Sequence, residues 1–133
     1  MQEFERVYLD KAEDNLAAAQ SEFINRRYDV SASRSYFACF QAAVYALIRA
    51  GIRPRAASGQ WGHDFVQAEF SGQLVNRRRL YPASLRSTLD LNRTLRSVAD
   101  YATDRVSEVR ADHAVGRAES FLESIRAEGG GAA

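Results

Sequence analysis

The chain has a single cysteine, Cys39, which excludes an intramolecular disulfide and a thiolate metal cluster. Two prolines and eight glycines in 133 residues exclude collagen-like and proline-rich architectures, and an apolar fraction of 46% excludes a disordered chain. No run is long enough to cross a membrane. The longest apolar-leaning stretch, Ser35 to Ile48, falls short of the roughly 20 residues a bilayer needs, and it carries Gln41. No signal-peptide pattern precedes it. A small soluble cytoplasmic domain without a membrane partner is expected, with one core.

Enzyme motifs are also missing. There is no Gly-rich phosphate loop, no HExxH and no nucleophile elbow. His63 and His113 are the only histidines, and they fall on different elements, so no metal site is expected. Glu119 and Glu123 lie one turn apart without the Glu-x-x-His pairs of a di-metal bundle. Cys39 falls in the most apolar segment and reads as an inert core thiol. No cofactor is implied.

Charge is present but unevenly spread. Residues 1–30 carry 4 basic and 7 acidic side chains, residues 31–99 carry 10 and 3, and residues 100–133 carry 4 and 7. The centre is therefore basic between two acidic flanks. Lys11 is the one lysine among 18 basic residues. Arginine's planar fork suits phosphate and carboxylate recognition, although a GC-rich genome would enrich it as well.

Periodicity is helical throughout, with no sustained alternation of period two. Phe4, Tyr8, Ala12, Leu16, Ala19 and Phe23 mark a first helix over about 3–24. A second, over 31–50, is apolar round more than half its circumference, as a central helix is, and Gly51 fits as its stop. A loop from Arg53 to Gln60 leads to a helix over 61–75. The loop 76–82 leads to a fourth helix over 83–102, and Ser107 fits as the N-cap of a fifth. The expected fold is an all-α, up-down bundle of four to five helices within 1–128, followed by a disordered Gly/Ala tail over 129–133.

Within the second helix, Arg34 and Gln41 are seven residues apart and so lie nearly in line, two turns apart, with Ala38 between them and Tyr45 beyond. A polar seam on the most buried element must meet polar groups, water or another chain. The plainer reading pairs Arg34 with a carboxylate and makes Gln41 a satisfied core amide.

The run Tyr28-Asp29-Val30-Ser31-Ala32-Ser33-Arg34-Ser35-Tyr36-Phe37-Ala38-Cys39-Phe40-Gln41-Ala42-Ala43 resembles the second helix of HEPN (higher eukaryotes and prokaryotes nucleotide-binding) domains. The likeness is to the small stand-alone prokaryotic branch with its S-R-A-Y-Y-A-x-F-H-A-A pattern. It continues through Gly51 to Arg55, Gly62-His63-Asp64, Leu91 to Tyr101 and Val106-Ser107-Glu108, covering roughly residues 5–126. The resemblance implies a dimerising bundle. In nuclease members an Arg and a His, with four to six residues between them, meet their symmetry mates to form a metal-independent RNase site. Such proteins are often toxins paired with a minimal nucleotidyltransferase antitoxin; other members bind RNA, nucleotides or proteins without catalysis.

Arg34 matches the arginine of that motif, whereas the histidine position holds Gln41. Glutamine can orient a group but cannot relay a proton, and metal-free RNA cleavage needs that relay. The expected function is a catalytically degenerate homodimeric module contacting RNA or nucleotide through Arg34, Tyr45, Arg53, Arg55, His63, Arg77, Arg78 and Arg79, with Trp61 and Tyr81 near the loop arginines for stacking. The alternatives are an active ribonuclease toxin using Arg34 with a displaced base, and a subunit that binds only a nucleotidyltransferase-type protein partner.

Overall fold

The computed structural model describes residues 2–54 and 59–131. Arg55 lies outside them. Five α-helices follow in order: α1 (Gln2–Ile24), α2 (Tyr28–Arg49), α3 (His63–Glu69), α4 (Thr88–Tyr101) and α5 (Glu108–Gly131). No strand occurs among the described residues, and the fold is all-α. No helix there is long and apolar enough to cross a membrane.

α2 is the hub, packed by α1, α4 and α5. Alanines let it be approached closely: Ala12 and Ala19 on α1, and Ala32, Ala38, Ala42 and Ala43 on α2, are all fully buried. Ser31 fixes the α1–α2 crossing by donating from Oγ to the carbonyl of Ala19 at 2.7 Å. α2 begins at Tyr28, three residues before the expected start, because its first turn is held from outside. The Asp29 carboxylate accepts from the Val106 amide at 2.8 Å, which ties the α4–α5 connection to the N-terminus of α2. Gly51, at φ 82°, ends the helix in the left-handed conformation that glycine adopts without strain.

The predicted helix over 61–75 is two structures. α3 passes directly into a π-helical segment, Phe70–Arg77. The wider i→i+5 turn brings Phe70, Leu74 and Val75 into the core together, a set that regular α spacing would spread round the helix. The predicted helix over 83–102 likewise opens as a 3₁₀ turn, Ala83–Arg86, before α4 begins at Thr88. α4 then buries Thr88, Leu89, Asn92 and Leu95, one face over two turns. Ser107 caps α5 as expected, its Oγ accepting from the Arg110 amide at 3.2 Å. Helical backbone continues to Gly131, past the expected boundary at 128.

The core centres on stacked rings. Phe70 lies 5.3 Å from Tyr81 and 5.1 Å from Phe121 between centroids, an arrangement that adds to simple burial. Cys39 is fully enclosed, and burial pushes its thiol from 9.0 up to about 12, against the smaller opposing influences of Asn92 and Arg117. In the unfolded chain the thiol ionises near 9; in the fold it stays protonated. Its contribution to stability is therefore whole below pH 9 and is lost as pH rises from 9 towards 12. Urea unfolding at about pH 8 and about pH 10.5 should show the wild type losing about 2 kcal/mol more than Cys39→Ala. Equal losses would contradict this account of the thiol.

Candidate functional site

α2 leaves little of itself uncovered. Its half-exposed side chains are Arg34, Phe37, Phe40 and Gln41 in its middle turns. The 3.6-residue repeat puts Arg34, Phe37 and Gln41 on one line. Ala38, expected in that stripe, is fully buried, and Phe37 takes its place. Tyr45 continues the same line but is only 6% exposed, because the C-terminal half of α2, from Ala42 to Ile48, is buried on every side. The Tyr45 hydroxyl is engaged by Arg49 Nη1 at 3.3 Å. A position's angle round the helix is legible in the sequence; which end a neighbour covers is not.

The plainer reading of the seam does not describe it. Arg34 has no carboxylate partner among the described residues: its Nη1 donates to Asn15 Oδ1 at 3.1 Å, and its guanidinium lies 5.2 Å from the Phe37 centroid. The Gln41 Oε1 is enclosed with no donor facing it. A buried amide oxygen without a hydrogen bond carries a desolvation cost of about 1–3 kcal/mol.

α4 supplies the other side of the patch. The Arg96 guanidinium sits 4.9 Å from the Phe37 centroid, 5.7 Å from Tyr36 and 5.6 Å from Tyr101. Its Nε donates to Asp100 Oδ2 at 2.9 Å, and Asp100 also accepts from Ser33 Oγ at 3.4 Å. One ring, Phe37, is thus flanked by two arginines from two helices. Tyr101, 75% exposed, stands at the edge as an open aromatic surface. Neither Arg96 nor Tyr101 was a predicted site residue. Both lie in the stretch Leu91 to Tyr101 that carries the family resemblance, and that stretch was the available signal.

His63 is a tether between helices. Its Nδ1 shares a 2.8 Å hydrogen bond with the Tyr36 hydroxyl, and its Nε2 pairs with Asp90 Oδ1 at 3.0 Å. Both ring nitrogens are engaged and the side chain is 9% exposed, so α2, α3 and α4 are joined through one imidazole. Burial raises the pKa of Tyr36, against the lowering influence of Arg93 and Arg96.

The loop arginines collect elsewhere. Arg53 Nη1 donates to the Ile48 carbonyl at 3.2 Å, and Arg78 Nη1 to the Ala50 carbonyl at 3.1 Å. Both therefore cap the C-terminal end of α2. Sixteen residues at 1.5 Å each put Ala50 about 24 Å along the axis from Arg34. Arg77 ends the π-helical segment, and Arg79, at φ 55°, lines a groove of about 400 Å³ with Arg86. Trp61 and Phe65 pack with Tyr8 against the core, at centroid separations of 6.0 and 6.5 Å. The predicted contacts thus form two groups, at Arg34 and at the far end of α2, and they do not converge. No group of three metal-ligating side chains converges among the described residues either.

The α2–α4 patch offers fixed cations and aromatic surface. Such groups bind and orient phosphates and bases without exchanging protons.

Residues 6–128 match the sequence profile of the HEPN domain. A protein of Methanocaldococcus jannaschii named "Putative toxin MJ0605" is 27% identical over 124 residues, which covers 91% of this chain and 85% of that protein. The profile match takes in α2, α3 and α4 whole and nearly all of α1 and α5, with the patch inside it; this chain belongs to the HEPN domain family.

Proposed function

We propose that this protein is a homodimeric HEPN module that holds single-stranded RNA at the Arg34–Phe37–Gln41–Arg96 face without cleaving it. The observation that carries this reading is the half-exposed Phe37 ring set between the guanidinium groups of Arg34 and Arg96, with Arg34 lacking a carboxylate partner among the described residues. A phosphate supplies the counter-charge that Arg34 lacks. Tyr101 and the arginine planes supply stacking, which favours unpaired bases over duplex. The relative named as a toxin supports placing the module in a toxin-type system. There a nucleotidyltransferase-type antitoxin would cover the same face.

Cleavage is absent in this reading because no group at the face relays a proton. The test is a fluorescence-anisotropy titration of labelled single-stranded and duplex RNA in EDTA, beside sedimentation at micromolar concentration. Saturable, single-strand-preferring binding by a dimer is expected. A monomer, or no difference between the two RNAs, contradicts the proposal.

Gln41→His restores a titrating group to the stripe. It is expected to create EDTA-insensitive RNase activity that the added change Arg34→Ala abolishes, measured by gel on labelled RNA. A failure to gain activity would show that the proton relay was not the only missing part.

One observation favours the alternative, an active metal-independent ribonuclease: the Tyr36–His63–Asp90 chain adjoins the ring that touches Arg96. Cleavage by the wild type that is lost in His63→Gln would establish it.

A further inference from the structure

α4 and α5 border a groove that the α2 face does not use. It measures about 250 Å³ and is lined by Leu91, Thr94, Leu95, Arg110, His113 and Arg117. On α5 the spacing of 110, 113 and 117 puts all three nitrogen-bearing side chains on one face. Arg117 is anchored from below. Its Nε donates at 2.7 Å to Oδ1 of the fully buried Asn92, whose own amide donates to the Ala114 carbonyl at 3.3 Å and approaches Cys39 Sγ at 3.6 Å. This buried node fixes the guanidinium through Nε, and Arg117 borders this groove and two neighbouring ones.

Neither Arg110 nor Arg117 is paired with a carboxylate among the described residues. Partial burial also draws the Arg117 pKa below the ordinary arginine value, against a smaller opposing influence of Cys39. α5 is acidic as a whole; Asp112 and Glu119 line the neighbouring α1–α5 groove, which His113 and Arg117 border as well, and Glu119 is held there by Gln20 Nε2 at 2.8 Å. The α4 side is left with fixed cations, an imidazole and the Thr94 hydroxyl, beside two leucines that suit an apolar sugar face. A bidentate arginine and a hydroxyl are the groups that recognise a phosphate.

We infer that this groove binds a phosphate monoester, the group shared by a free mononucleotide and a 5′-phosphorylated RNA end.

Calorimetric titration at low salt with 5′-AMP, inorganic phosphate and adenosine tests this on the intact protein. AMP and phosphate are expected to bind and adenosine not. Arg110→Ala should weaken AMP about tenfold, the effect of one charge-assisted contact. Arg117→Gln should weaken it more; because it also disturbs Asn92, the exposed changes Arg110→Ala and Thr94→Val keep the test independent of folding. Adenosine binding as well as AMP, or AMP binding unchanged in Arg110→Ala, would overturn the inference. The source of the phosphate follows from RNA oligonucleotides. Tighter binding of the 5′-phosphorylated than of the 5′-hydroxyl strand, lost in Arg110→Ala, identifies an RNA end; AMP binding without that difference identifies a mononucleotide. Arg110→Ala should leave binding of 5′-hydroxyl single-stranded RNA at the α2 face unchanged, so failure here is distinguishable from failure of RNA binding at α2.

Discussion

Replacing Arg34 and Arg96 together with alanine should weaken binding of single-stranded RNA about a hundredfold, with circular dichroism unchanged. A charge-assisted hydrogen bond contributes about 1.5–3 kcal/mol, and each 1.4 kcal/mol is a factor of ten, so two such contacts give at least this effect. Folding should tolerate the change. Arg34 loses only its half-exposed bond to the uncharged Asn15 amide and a ring contact, and Asp100, deprived of Arg96, keeps Ser33 and stands partly in water. Arg93→Ala is the control, since Arg93 faces the exposed Asp64 on α3 and should change binding little. An unchanged double variant would remove the face from the account.

The second large effect falls on stability. Phe70→Ala should lower the unfolding free energy by about 3–5 kcal/mol, because it empties the site between Tyr81 and Phe121 and the helices cannot fully close over it. For a domain whose whole stability is about 5–15 kcal/mol, that is a substantial fraction. Tyr101→Ala, at an exposed position, should change stability by no more than about 0.5 kcal/mol while weakening RNA binding. Urea denaturation separates the two. A small effect for Phe70→Ala would mean that the ring stack is not the centre of the core.

These two variants also mark where sequence reading succeeds and stops. The long helices α1, α2 and α5 are legible because apolar residues recur with the helical period over many turns, and Ser107 and Gly51 are legible because their local chemistry admits few roles. The π-helical segment is not. Phe70, Leu74 and Val75 look like an ordinary helix with one residue out of phase, and only the requirement to bury all three widens the turn. At the site, the alignment of Arg34 with Gln41 follows from seven-residue spacing. The arrival of Arg96 on Phe37 is a tertiary contact across 59 residues of chain, which no local pattern encodes. His63 illustrates the reverse. As a lone histidine it was a plausible ligand contact, but in the fold it is fully engaged by Tyr36 and Asp90.

This HEPN module is proposed to grip RNA and leave it whole. The most direct measurement incubates the purified protein with 5′-labelled single-stranded RNA in EDTA, beside Arg34→Ala, and resolves each reaction on native and denaturing gels. Retarded RNA that remains full length, with retardation lost in Arg34→Ala, is the predicted result. Shortened RNA that becomes intact in Arg34→Ala would contradict it and make Gln41 part of a working nuclease.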